Sequence, residues 1–117
     1  MAQATIYHNP RCTKSRQAMQ VVDELGVDVE VVRYLDTPPD EPTLRSIIAA
    51  LEDPPADLVR REKWSELGVT ADDVSTVDGV VAVLLAHPEL MQRPVVVKGG
   101  RAVIGRPTER VADLLRS

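Results

Sequence analysis

Apolar and polar positions divide the chain into short strand-like runs and helix-periodic segments. Residues 4–8, Ala-Thr-Ile-Tyr-His, read as a strand that Asn9-Pro10 breaks with a turn. Ala18, Val21, Val22 and Leu25 then recur at the i, i+3, i+4, i+7 spacing of one helix face, which predicts a helix over about 13–25. Gly26 is placed to end it, because glycine takes the left-handed conformation without a Cβ penalty. Val27 to Tyr34 is rich in β-branched residues and predicts a second strand. A strand, a crossover helix and a strand favour parallel pairing.

The middle of the chain changes character. Prolines at 38, 39, 42, 54 and 55 bracket Leu44, Ile47, Ile48 and Leu51, a short amphipathic helix with Asp40 as N-cap and Pro42 tolerated in its first turn. Residues 57–67 read as broken helix, and Val80, Val81, Leu84 and Leu85 mark another helix, which Pro88 terminates. Pro94-Val95-Val96-Val97 reads as a strand, Gly99-Gly100 as a tight hairpin turn, and Arg101-Ala102-Val103-Ile104 as the returning strand. Pro107 opens a last helix with Val111, Leu114 and Leu115 on one face.

This order predicts an α/β fold: a thioredoxin-like mixed four-stranded sheet with a helical insertion, about residues 37–92, between the second and third strands. Pattern alone leaves other α/β arrangements open. A length of 117 residues suits one domain, 1–117. With no Phe, one Trp and two Tyr, the core must come from Val, Leu, Ile and Ala.

Charge and cysteine usage narrow the chemistry. Fourteen basic against 18 acidic residues give a net charge of −4, so the chain gains nothing from the phosphate field of DNA or RNA. No apolar run nears the ~18 residues needed to cross a bilayer, and Met1 to Thr5 lacks the features of a secretory leader. A single cysteine excludes an internal disulfide. These features together predict a cytoplasmic protein that meets neither nucleic acid nor membrane.

The sharpest chemical signal is Tyr7-His8-Asn9-Pro10-Arg11-Cys12-Thr13-Lys14-Ser15-Arg16. Cys12 falls where a strand has ended and a helix begins, beside backbone N–H groups that lack helical partners. Such groups lower a thiol pKa and bind anions. Arg11, Lys14 and Arg16 add positive charge, and His8 is a candidate for more. The residues also admit plainer readings. A lone cysteine is often an inert, buried small hydrophobe. His8 fits a turn bonded to the backbone as well as a tuner of Cys12. Lys14 and Arg16 fit solvated helix charges. Ser15 fits either a donor to the thiolate or a helix cap.

His8-Asn9-Pro10-Arg11-Cys12-Thr13-Lys14-Ser15-Arg16 closely resembles the active-site loop of glutaredoxin-coupled arsenate reductases, within the arsenate reductase/Spx superfamily. Gln92-Arg93-Pro94-Val95-Val96-Val97 and Ile104-Gly105-Arg106-Pro107-Thr108 resemble that family's two Arg-Pro motifs. Leu58-Val59-Arg60 resembles its third arginine motif, and Tyr34-Leu35-Asp36-Thr37-Pro38-Pro39 the segment after its second strand. The resemblance covers nearly the whole chain. It departs between Arg60 and Leu67, where this chain is shorter than the resistance-operon enzymes and Arg61 rivals Arg60. The stretch after the last helix is also short, as in chromosomally encoded relatives, for some of which arsenate as the main substrate stays open.

The resemblance implies that Cys12 is the nucleophile that bonds arsenic, that His8 lowers its pKa and that Ser15 supports the thiolate. It implies that Arg60, Arg93 and Arg106 hold arsenate, and that the Arg93–Pro94 peptide is cis. The implied activity is reduction of arsenate to arsenite, with glutathione or a similar small thiol as co-substrate and a glutaredoxin-type protein as electron donor. No bound cofactor or metal is implied. Two other functions remain compatible with the motifs: a thiol-transfer oxidoreductase acting on glutathione adducts, and an Spx-like redox regulator of RNA polymerase. The regulators usually carry Cys-x-x-Cys, which Ser15 breaks. Spacing alone leaves each arginine, Arg101 included, readable as a surface charge, and His87 as structural. Trp64 either packs the insertion or offers a partner surface.

Overall fold

In a computed structural model, which describes residues 2–117, four strands form one mixed sheet in the order β2-β1-β3-β4. Met1, where the stretch read above for a leader begins, lies outside the described residues. β1 (Ala4–His8) pairs in parallel with β2 (Val29–Arg33), joined by the crossover helix α1 (Thr13–Leu25). β1 also pairs antiparallel with β3 (Val95–Lys98), and β3 with β4 (Arg101–Ile104) through the Gly99-Gly100 turn. Gly99 takes φ 59°, the left-handed conformation that such a turn requires. β2 is shorter at both ends than the run of β-branched residues suggests, because its pairing with β1 runs only from Ala4–Val29 to His8–Arg33.

The helices between β2 and β3 are α2 (Glu41–Ala50), α3 (Trp64–Leu67) and α4 (Val77–Ala86). Asp40 caps α2, accepting the Thr43 N–H at 3.0 Å. The stretch read as broken helix is a 3-10 turn over Pro55–Leu58 followed by the single turn α3. The last helix, α5, spans Glu109–Arg116.

Apolar side chains bury on both sheet faces. Ile6, Val96 and Val103 pack with Ala18 and Val22 of α1 and with Val111 and Leu114 of α5. Tyr34, Leu58, Val59, Met91, Val95 and Ile104 pack with α2 and α4 on the other face. Two isolated bridges, Leu51 with Ala102 and Val59 with Met91, tie the helical segment to β4 and to itself. The second ties the segment that carries Arg60 to the segment that leads into Arg93: Arg60 N–H donates to Leu90 O and Gln92 N–H to Leu58 O, both at 2.7 Å. Among the described residues no helix is long and apolar enough to cross a membrane.

Candidate active site

β1 delivers the chain to the site. Past His8 the Asn9-Pro10 turn closes with Cys12 N–H donating to Asn9 O at 3.0 Å, and Cys12 becomes the N-cap of α1 with extended backbone. No formal side-chain hydrogen bond caps the helix there, yet the first-turn amides still act on the sulfur. Cys12 is half-buried, which by itself would raise its pKa. The Ser15 N–H, the Arg93 guanidinium as donor and charge, and the Lys14 N–H outweigh that burial, and the thiol sits below its ordinary value.

The arginines come from distant segments. Arg106, just past β4, points Nη2 at Cys12 Sγ, 3.5 Å away. Its Nε donates to the Arg93 carbonyl at 2.8 Å, so one guanidinium spans both motifs. Arg93 keeps its own Nε buried with no hydrogen-bond partner among the described residues. A buried guanidinium N–H without an acceptor is costly and suits a site that receives an anion. Arg60 is four-fifths buried, ion-paired with Glu62, and its charge is felt at Tyr34 together with those of Arg93 and Cys12. Its rival Arg61 is exposed and sits over the Trp64 ring, 5.7 Å from the centroid. Arg60, Arg61 and Arg106 share the wall of an open cavity of about 360 Å³.

Three details differ from the simplest reading of the cysteine loop. Burial first, then Arg33 and Arg16, push the His8 pKa down and disfavour its charged form, and it is not among the main groups acting on the sulfur. The loop's own cations do not gather on Cys12 either. Arg16 turns back to donate to Pro10 O at 3.1 Å and Thr13 Oγ1 at 3.3 Å, while Arg11 is exposed. Ser15 is fully buried, but its hydroxyl accepts the Asn9 N–H at 3.2 Å; its backbone N–H is what favours the thiolate.

A protein-family model described as the ArsC family matches residues 7–114. The chain belongs to the ArsC family. It is 39% identical over 118 residues to a Neisseria meningitidis arsenate reductase, covering 98% of this chain and all of that one. It is 41% identical over 116 residues to the uncharacterised Escherichia coli protein YfgD, covering 97% of each. The solved arsenate reductase from Vibrio cholerae superposes with TM-score 0.83 at 33% identity, over 98% of this chain and all of that one.

In this ArsC-family protein the sequence had not disclosed what holds Arg106 in place. Asp53 accepts the Ile104 N–H at 3.1 Å and Arg110 Nη1 at 2.8 Å, and the same Nη1 reaches Ile104 O at 2.9 Å. This clasp fixes the end of β4, two residues before Arg106. Gly105 fits where nothing larger can: a Cβ there would lie 2.8 Å from Pro94 Cγ and 2.7 Å from Val111 Cγ2. The Arg93–Pro94 peptide is cis, as the resemblance implied, and so is Arg106–Pro107, which had not been foreseen. Trp64 packs on the helical side of the core, Arg101 pairs with Glu52, and His87 lies 3.4 Å from Glu89.

Proposed function

We propose that this protein reduces arsenate to arsenite in a thiol-dependent reaction. The observation that carries the reading is the meeting of a pKa-lowered, half-buried Cys12 sulfur with Arg106 and with an Arg93 that holds an unmet donor. Membership of a family whose relatives include arsenate reductases supports the substrate.

In this reading the Cys12 thiolate attacks arsenic of a bound arsenate monoanion. The S–As bond forms, an As–O bond breaks, and that oxygen leaves as water after taking up one proton. Arg93 and Arg106, with Arg60 at the rim, neutralise charge building on the remaining oxygens. A small thiol of the glutathione type then displaces a second oxygen, also as water, so that arsenic bridges two sulfurs. A second thiol, from a glutaredoxin-type protein, attacks the small thiol's sulfur. Their disulfide forms, and the electron pair of the broken As–S bond reduces As(V) to As(III). Water cleaves the last S–As bond, releasing arsenite and restoring Cys12. The sum is one arsenate and two thiols giving one arsenite, one disulfide and one water. Cys12 needs external thiols because it is the chain's only cysteine.

The test is arsenate-dependent NADPH oxidation coupled through glutathione, glutaredoxin and glutathione reductase. Wild type should turn over and Cys12→Ser should not. Efficient thiol transfer from glutathione adducts without arsenate-dependent turnover would replace this reading with the thiol-transfer one.

A further inference from the structure

Tyr34 is among the largest fully buried side chains. It follows directly on β2, whose last residue Arg33 is in register with His8 of β1. Tyr34 therefore leaves the sheet at the level of Asn9, at the carboxyl end of two parallel strands, where the cysteine loop begins. Its ring packs in the core on the helical side, and its hydroxyl is buried without a hydrogen-bond partner among the described residues. The charges of Arg93, Arg60 and Cys12 all bear on that hydroxyl, and the Asn9 side chain is near enough to act on it as a donor, but no bond of good geometry forms between them. Two unmet polar atoms, Tyr34 Oη and Arg93 Nε, thus belong to one neighbourhood. Burial of both unpaired costs stability that an arriving ligand would recover.

We propose that the Tyr34 hydroxyl is a further substrate-binding group of this site, hydrogen-bonding an oxygen of the tetrahedral oxyanion held by Arg93 and Arg106. The proposal rests on the oxyanion reading and adds what guanidinium groups cannot supply. Arginine only donates, whereas a neutral phenol donates and accepts. Burial raises the Tyr34 pKa, so the phenol stays protonated while Cys12 is ionised. It can accept from a protonated oxygen of arsenate or phosphate monoanion. Sulfate can take the phenol O–H but, with no proton to give, cannot donate to the phenol oxygen. Tyr34 is therefore a determinant of selectivity for protonated tetrahedral anions.

Protection of Cys12 from iodoacetamide by arsenate, phosphate and sulfate tests this on the full chain. In Tyr34→Phe, protection by arsenate should weaken about tenfold or more, the loss of one hydrogen bond to a charged ligand. The preference over sulfate should shrink with it. The anion-free alkylation rate should stay within about twofold, and the melting temperature should change little, since the deleted hydroxyl makes no hydrogen bond of good geometry. Unchanged arsenate protection in Tyr34→Phe, with protection lost in Arg93→Ala, overturns the role of Tyr34 alone. Absence of arsenate protection in wild type overturns the oxyanion reading and this proposal with it. An arm on the unaltered chain uses carbon-13-labelled tyrosine and NMR. The Tyr34 ring-carbon signal beside the hydroxyl should move on arsenate addition, while Tyr7, influenced by Glu30 and Asp40, should not. Equal movement or none at Tyr34 would reject the contact.

Discussion

Arg106 Nε donates to the carbonyl oxygen of Arg93 at 2.8 Å and leaves Nη2 3.5 Å from Cys12 Sγ. One guanidinium thus uses one edge to lock onto the other motif's backbone and another to face the nucleophile. Lysine cannot do both, because its ammonium is a single point on a flexible stem. Arg106→Lys should lower arsenate kcat/KM by about 100-fold or more, the scale of losing one oriented transition-state donor. Its melting temperature should change little. Kinetics beside a thermal melt check this, and near-normal turnover would show that charge alone suffices.

The Cys12 pKa gives a pH signature. An acid whose pKa is lower in the folded state binds fewer protons there, so ionisation favours the fold at and above the ordinary thiol pKa. That contribution is lost as pH falls through the folded pKa. Alkylation of Cys12 should accordingly stay fast at pH values where an ordinary thiol has slowed. Arg93→Ala removes a donor and a charge, so its rate profile should move to higher pH. His8→Gln should leave the profile nearly in place, since burial, Arg33 and Arg16 disfavour the charged form of His8 and it is not among the main groups acting on the sulfur.

Ser15 separates side chain from backbone. Its hydroxyl takes the Asn9 N–H, while its amide acts on the sulfur. Ser15→Ala should cost about 1–3 kcal/mol by leaving a buried donor unmet, and should leave the alkylation pH profile unchanged. Denaturant unfolding and stopped-flow alkylation measure the two effects separately. A profile displaced upward would mean that the hydroxyl itself supports the thiolate.

Gly105 and the Asp53–Arg110 clasp test how the second Arg-Pro motif is held. Gly105→Ala drives a Cβ into Pro94 and Val111, and overpacking of this kind costs about 1–3 kcal/mol. Asp53→Ala strands the Ile104 N–H and an Arg110 that is more than two-thirds buried, with a loss of about 1–3 kcal/mol. Both should lower the melting temperature and arsenate turnover together, because the strand end that carries Arg106 is loosened. Loss of stability without loss of turnover would free Arg106 from this dependence.

Legibility differed between fold and site for a physical reason. Helical and strand periods are local, so α1, the Gly99-Gly100 hairpin and the Asp40 cap could be read from neighbouring residues. Cys12 was equally legible, because its place at a strand-to-helix junction is a local fact. What acts on it was less so. Arg11, Lys14 and Arg16 are near in sequence but do not gather on the sulfur, whereas Arg93 and Arg106 arrive through pairing between β1, β3 and β4. Only motif resemblance pointed to them. The Tyr34 hydroxyl and the Asp53–Arg110 clasp carried no sequence signal beyond a tyrosine closing an apolar run and a carboxylate among prolines. Their partners lie tens of residues away, where spacing has no purchase.

The central claim is that Cys12 sulfur bonds arsenic. X-ray absorption at the arsenic edge, on protein incubated with arsenate and a small thiol, tests it most directly. Sulfur in the first shell of protein-bound arsenic in wild type, absent in Cys12→Ser, is the expected result. Bound arsenic surrounded by oxygen alone, or sulfur ligation that survives Cys12→Ser, would contradict it.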